Sequence, residues 1–372
     1  MTFTYKIPCF DLEQTARSGQ VFRMIPAPDS ANTWVVISQG HVSFIRQENN
    51  TFFLECDPDL EVFWKNYFDM DTDYEQMIAS VAPDDAYLKA AAQAGKGIRI
   101  LRQDTWEMII TFVISQQKTI PAIRALVEAL CSRYGTKLLF TDDTCDTEND
   151  TNCRQLYAFP TPEQLCQASF EDLLALKLGY RAKYIYRLCH DATDGHLDLA
   201  YLSTLDYEAA MDYLTGFYGI GKKVANCVCL FGLHHINAFP VDTWIEKILN
   251  EHYYNAAKYK DLPKKKLYDQ MITDSFGCYK GYAGVMQQYI FNYERNVNSL
   301  QSSEHINSTP VHGTGRVVHG NKKTRSGIPH PLLVLIYNLF LCDCKYLPVF
   351  PAPPHCILPC HIFLYFIRPL LI

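Results

Sequence analysis

The period of the hydrophobic pattern changes once along this chain, and that change constrains the fold more than any other feature. Up to about residue 70, apolar and polar residues alternate in short runs, as in TWVVISQGHVSFIRQ (33–47) and TFFLECD (51–57). Alternation places one face on a core and one toward solvent, which is the pattern of a half-buried strand. The turn-rich stretches PAPDSAN and QENNT separate the runs, so the segment reads as an antiparallel sheet. From Asp71 the apolar spacing becomes that of a helix, in DYEQMIASVA, QDTWEMIITFVISQQ and IPAIRALVEALCSRYG. Further helices are expected over 163–176, 180–195, 205–215, 222–234, 243–252, 263–275 and 280–296. The fold class is therefore α+β: an N-terminal antiparallel β-sheet domain over 1–98, then an all-helical domain over 99–297. The acidic, breaker-rich stretch 141–156 reads as a surface loop.

Composition narrows the function. The formal net charge is −6, and residues after Leu300 carry six basic side chains against Glu304 and Asp343, or +4, so the first 300 residues carry about −10. A chain that coats nucleic acid through a broad basic surface is excluded; any such site is local. The aromatic content of 13% supplies flat faces for packing or for stacking on bases. The 14 cysteines are scattered singly or as C-x-C, without the C-x₂-C pairs of a zinc site, so no metal and no cofactor are expected. The start, MTFTYKIPCFDLEQ, lacks a basic segment followed by an apolar core, which together with the unpaired thiols points to a cytoplasmic protein.

After Val297 the composition shifts. Residues 298–331 are polar and aperiodic, consistent with disorder. The apolar runs that follow are about ten residues long and are interrupted by Asp343, Lys345 and six prolines from Pro348 to Pro369, too short for a membrane span. This tail, 298–372, is expected to be disordered or non-native and to carry no function.

Chemistry concentrates in LTGFYGIGKKVANCVCLFGL at 214–233, a glycine-rich turn between two helices. Gly219 and Gly221 permit positive φ and bare backbone, so amides at the start of the second helix can face an anion. No strand precedes the turn and no G-K-[ST] follows Gly221, so dinucleotide and P-loop readings fall away. What remains is either a helix–hairpin–helix that grips one DNA backbone or a simple helix–helix corner. Nineteen residues after Lys223 comes Asp242, in NAFPVDTWIEKIL, where Thr243-x-x-Glu246 matches a capping box. Asp242 alone reads as a helix cap; paired with the lysine it acquires a catalytic reading.

GIGKKVANCVCLFGL followed by FPVD resembles the helix–hairpin–helix, Gly/Pro-rich, aspartate (GPD) superfamily of base-excision DNA glycosylases, and within it the 8-oxoguanine DNA glycosylases. SGQVFRM (18–24), LKLGYRAKY (176–184) and YAGVMQQYIF (282–291) resemble three further motifs of that family, in its order, and the resemblance covers roughly 5–295. It implies Lys223 as the catalytic lysine and Asp242 as the catalytic aspartate, with Lys222 a neighbour within reach of phosphate. It implies a base pocket in which Gln287 reads the Watson–Crick edge, Phe291 and Cys227 lie against the two faces, and the Gly19 carbonyl accepts the N7–H of 8-oxoguanine. It implies DNA contacts by Tyr180 and Arg181, which wedge the duplex and meet the estranged cytosine, by Gln117, which fills the vacated stack, and by the Gly219 and Gly221 backbone. The partner implied is double-stranded DNA containing an oxidised purine, met by a monomer.

The residue types fit such chemistry. A flipped base costs a few kcal/mol of unstacking, which a ring and an amide four residues apart on one helix face help to offset. Attack at C1′ requires a neutral lysine, favoured by burial, by Lys222 and by the positive end of a helix.

Four positions depart from the family pattern. Gln117 stands where it has asparagine and Ala122 where it has an arginine, with Arg124 nearby but out of register; Trp244 replaces a histidine, and Val285 a tryptophan. The rival readings are an alkyladenine-type glycosylase using the aspartate alone, against which Lys223 argues, and a non-catalytic DNA-binding module, against which Lys223, Asp242, Gln287 and Phe291 argue together.

Overall fold

The computed structural model describes residues 1–27, 32–138 and 155–307. Strands β1 (Thr2–Lys6), β2 (Met24–Pro26), β3 (Thr33–Ser38), β4 (His41–Glu48) and β5 (Thr51–Glu55) form one antiparallel sheet in the order β1-β5-β4-β3-β2. Two-residue turns set the register: Ser38 pairs with His41 and Glu48 with Thr51. Gln39 and Gly40 both have positive φ, the backbone twist that suits a tight hairpin. Alternate residues of these strands, Val36, Ile45, Phe52 and Leu54, are wholly buried with Trp64 and Phe68 from the segment that follows. The alternation read from the sequence is thus the inner face of this sheet.

The helices are α1 (Leu12–Arg17), α2 (Glu61–Tyr67), α3 (Tyr74–Ala79), α4 (Ala86–Ala94), α5 (Thr105–Ile114) and α6 (Ile120–Tyr134). A short β6–β7 pair (Lys137–Leu138, Leu156–Tyr157) precedes α7 (Pro162–Leu165), α8 (Phe170–Ala175), α9 (Arg181–Thr193), α10 (Leu199–Leu202) and α11 (Tyr207–Thr215). The chain continues through α12 (Lys222–Phe231), α13 (Thr243–Ile248), α14 (Ala256–Tyr259), α15 (Lys264–Phe276) and α16 (Ala283–Asn307). The single helix expected over 163–176 is two, because Ser169 caps a second start with its own capping box. Helix α16 runs on to Asn307, past the expected change at 298. The expected loop falls largely, and the rest of the tail wholly, outside the described residues.

A second hydrophobic core fills the helical part, around Met108, Ile109, Val113, Val228, Leu230 and Ile290. Helices α3 and α4, which precede residue 98, contribute Tyr74, Leu88 and Ala91 to this core and not to that of the sheet. Asp69 joins the two cores. Its carboxylate accepts from Arg102 Nη2 (2.9 Å), the Tyr74 hydroxyl (2.9 Å) and Thr72 (2.9 Å), with His234 Nε2 at 3.5 Å. Burial alone would raise its pKa, but the hydrogen bond and charge of His234, with Tyr74 and Arg102, hold it well below the usual carboxylate range. Buried Arg99 completes the junction by donating to the carbonyls of Asp69 (2.6 Å) and Pro8 (3.0 Å).

Candidate active site

The hairpin itself is the six-residue turn between α11 and α12. Gly219 sits at φ +96°, and a Cβ there would lie 2.4 Å from Cγ of Tyr184, so both backbone and packing demand glycine. Gly221 is different. It is extended at the start of α12 and open around its Cα, so positive φ, expected at both glycines, is used only at Gly219. Asn226 locks the hairpin to the next segment. Its Oδ1 accepts from the Tyr207 hydroxyl (2.8 Å) and the Phe239 amide (3.2 Å), and its Nδ2 donates to the Lys222 carbonyl (3.0 Å). That ties α12 to the irregular segment that leads to Asp242.

Lys223 is half-buried and leaves α12 into a cleft of about 590 Å³, room for one nucleobase with its sugar. Its Nζ donates to Ser115 Oγ at 3.1 Å and lies 5.2 Å from the centre of the Phe112 ring. Lys222 points elsewhere: it is exposed and pairs with Asp269 at 3.2 Å. The neighbouring cation expected to act on Lys223 is therefore engaged outside the cleft. One turn on from Lys223, buried Cys227 lines the same wall; burial pushes its thiol up, opposed by the nearby Lys223 charge.

Asp242 both caps and faces the cleft. It is the N-cap of α13, and Oδ1 alone accepts the amides of Trp244 (3.0 Å) and Ile245 (2.9 Å). The Thr243–Glu246 capping box expected from the sequence does not form, because the aspartate one residue earlier takes the cap. Both capping bonds fall on Oδ1, so Oδ2 takes no part in the cap.

The opposite wall comes from α16. Gln287, Phe291 and Arg295 recur every four residues and so share one face. Gln287 donates its Nε2 to the Pro240 carbonyl at 3.3 Å. A carbonyl only accepts, which fixes the amide orientation and leaves Oε1 buried and without a hydrogen-bond partner among the described residues, on a side chain that lines the cleft. Phe291 presents its ring beneath the Arg295 guanidinium, 5.2 Å away. Gly19 reaches the cleft because its neighbours are anchored. The Ser18 carbonyl accepts from Gln288 Nε2 (2.8 Å) on α16, and the buried Gln20 amide pairs with the backbone of Arg99 and Leu101. Gly19 itself has φ +88°, and a Cβ would press within 3.3 Å of Phe291 and Ile120.

The loop between α5 and α6 closes the cleft. Exposed Gln117 lines it with φ +53°, a left-handed conformation that asparagine tolerates better than glutamine. Arg181 departs from its expected position. It is 4% exposed, and its guanidinium donates to the carbonyls of Leu178 (3.2 Å) and Gln116, bracing this loop from behind. Tyr180, 45% exposed, stacks over that guanidinium at 4.4 Å and meets the Tyr184 ring edge-on at 5.6 Å. Arg124 donates to the Ala16 carbonyl (3.0 Å), away from the cleft, and so does not replace the arginine missing at Ala122. Trp244 stands at the cleft mouth, whereas Val285 is wholly buried in the helical core. Ser115, Gln116, Phe112 and Arg295 escaped the sequence reading; only Arg295, eight residues after Gln287 on one helix face, left a detectable signal.

A hairpin helix that turns a lysine into a base-sized cleft, and an aspartate at a neighbouring helix start, define a base-excision DNA glycosylase of the helix–hairpin–helix type. Residues 3–109 match the family model "8-oxoguanine DNA glycosylase, N-terminal domain", and residues 110–269 match "HhH-GPD superfamily base excision DNA repair protein". The chain is 30% identical to the N-glycosylase/DNA lyase of Saccharomyces cerevisiae, over 76% of its own length and 83% of that protein. It is 27% identical to a probable N-glycosylase/DNA lyase of Methanothermobacter thermautotrophicus, over 78% and 95%. Its fold superposes with a TM-score of 0.69 and 28% identity on the 8-oxoguanine glycosylase/lyase of Clostridium acetobutylicum bound to double-stranded DNA with cytosine opposite 8-oxoguanine, covering 80% of this chain and 98% of that one. The chain belongs to the 8-oxoguanine DNA glycosylase family of the HhH-GPD superfamily.

Proposed function

We propose that this enzyme excises 8-oxoguanine from duplex DNA and cleaves the resulting abasic site, with Lys223 as nucleophile and Asp242 as its electrostatic partner. The observation that carries the reading is the convergence of Lys223, Asp242, Gln287 and Phe291 on one cleft. The neutral amine attacks C1′ as the bond to N9 breaks, and the departing base takes up a proton. Asp242, with one oxygen committed to its helix, stabilises the positive charge developing on the sugar. Ring opening gives a Schiff base at Lys223; loss of a C2′ proton then expels the 3′ phosphate.

The flipped base lies between Phe291 and Cys227, and Gln287 Oε1 accepts from an N–H on its Watson–Crick edge. The Gly19 carbonyl reads the N7–H. Tyr180 wedges the duplex, Gln117 occupies the vacated stack, and the amides around Gly219 and Gly221 hold one phosphate backbone beside Lys222. With Arg181 turned inward and alanine at 122, recognition of the orphan cytosine rests on fewer groups than the family pattern carries. A monomer suffices for this reading, because Lys223, Asp242, Gln287 and Phe291 line one cleft of the same chain. The described cysteines are all unpaired thiols, which supports the cytoplasm. Among the described residues no helix is long and apolar enough to cross a membrane.

Borohydride reduction in the presence of an 8-oxoguanine duplex should trap a covalent adduct, and Lys223→Gln should abolish it. A wild-type enzyme that excises the base without trapping would remove the lyase step; trapping unchanged in Lys223→Gln would move the nucleophile elsewhere.

A further inference from the structure

Away from the DNA cleft, two thiols and an imidazole converge where α7 packs against α9. Cys166 ends α7, and Cys189 and His190 lie in the last turns of α9. Their ligand atoms all fall within 4.8 Å of one another. Cys166 Sγ is 3.0 Å from His190 Nδ1 and 3.5 Å from the Thr193 hydroxyl. Cys189 is fully buried while Cys166 and His190 are half-buried, so the group opens to solvent on one side. Neighbours on a helix diverge by about 100°. Cys189 and His190 meet here because Cys166 arrives from a second helix within reach of both.

We propose that Cys166, Cys189 and His190 form a zinc site that clamps α7 onto α9. Two thiolates and an imidazole suit a borderline-soft ion and are poor ligands for magnesium or calcium. Bonds of about 2.3 Å to sulfur and 2.0–2.1 Å to nitrogen set a tetrahedral S···N separation of roughly 3.6 Å, so Cys166 and His190 part by about half an ångström on binding. Water from the open side takes the fourth position. The two thiol protons are released, and the Sγ–H of Cys189, now given to the Tyr186 carbonyl at 3.1 Å, is lost to the metal bond. The site is a staple rather than a catalytic centre. It fixes the far end of the helix that begins at Arg181, nine residues or about 14 Å away, where the cleft loop is braced. The sequence conceals it because its ligands are 24 residues apart and lack any C-x₂-C spacing.

Full-length protein, reduced and stripped with a chelator, would be titrated with Co²⁺. The proposal expects the intense visible bands of tetrahedral cobalt and a sulfur-to-cobalt charge-transfer band, both displaced by stoichiometric Zn²⁺. Zn²⁺ should also raise the unfolding midpoint. Cys166→Ser and His190→Gln, at half-buried positions that leave the core intact, should each lose the cobalt spectrum and the zinc-induced shift. Both should keep wild-type circular dichroism and wild-type excision in chelator. A Cys342→Ser/Cys344→Ser variant should keep the cobalt spectrum. Absence of charge transfer in the wild type, its persistence in both ligand variants, or its loss in the Cys342/Cys344 variant would overturn the site. So would formation of a Cys166–Cys189 disulfide in air by a protein that binds no cobalt.

Discussion

The side-chain amide of Gln116 donates to the carbonyl of Gly219 at 3.1 Å, joining the loop that closes the cleft to the hairpin that carries Lys223. The same loop receives Arg181 at the Gln116 carbonyl and Lys223 at Ser115. Hairpin, loop and lysine are therefore one mechanical unit, and disturbing any of them moves the others.

Gly219→Ala tests that unit. The left-handed backbone and the contact with Tyr184 together should cost about 2–5 kcal/mol. Gly221→Ala, extended and unobstructed, should unfold within about 0.5 kcal/mol of wild type. Urea denaturation of the pair measures both, and equal losses would show that the turn geometry is not what selects glycine at 219.

The cap seen at Asp242 and the catalytic role proposed for it separate cleanly by substitution. Asp242→Asn keeps an Oδ1 that accepts both capping amides, so stability should hold while single-turnover excision falls by orders of magnitude. Asp242→Ala should lose the same activity and, in addition, about 1 kcal/mol of stability with the cap. A stable, fully active Asp242→Asn would leave the residue a cap alone.

For Gln287 the unpaired Oε1 makes the prediction. Gln287→Leu keeps the volume but removes the acceptor, which should lower kcat/KM for the lesion roughly 5- to 150-fold, the range for a buried hydrogen bond. Binding to DNA that already contains an abasic site, with no base to read, should be unchanged. Weakening of both by the same factor would place Gln287 in the scaffold.

Glu107 gives the fold a pH dependence unrelated to catalysis. Burial pushes its carboxyl up to about 8, Arg23 opposing and Asp104 and Glu128 adding to the rise. The unfolded chain releases this proton near 4.5, so between there and about pH 8 the folded state binds more protons and stability falls as pH rises. Asp69 acts at the other end: its lowered pKa stabilises the fold above the usual carboxylate range, and that contribution is lost as pH falls below it. Glu107→Gln should flatten the alkaline slope and Asp69→Asn the acid one, as read from unfolding midpoints between pH 3 and 9.

The sequence by itself determined the order of structure, from sheet to helical domain, because period-2 and period-3.6 patterns need no partner to be read. It also placed Lys223, Asp242, Gln287 and Phe291 at recognisable points of local motifs, and all four line one cleft. Only the tertiary structure decided which way the charges point. Lys222 and Lys223 are adjacent, yet one pairs with Asp269 and the other with Ser115, since neighbours on a helix face about 100° apart. Arg181 reads as a surface cation and is instead buried against two carbonyls, supplied by the turn before α9 and by a loop some 65 residues earlier. The split of α7 from α8 and the cap at Asp242 over Thr243 were contests between near-equal local signals, and in each the observed cap is a local side-chain hydrogen bond, from Ser169 and from Asp242. The meeting of Cys166 with Cys189 and His190 has no local signal at all, because a contact between two helices is written in neither helix alone.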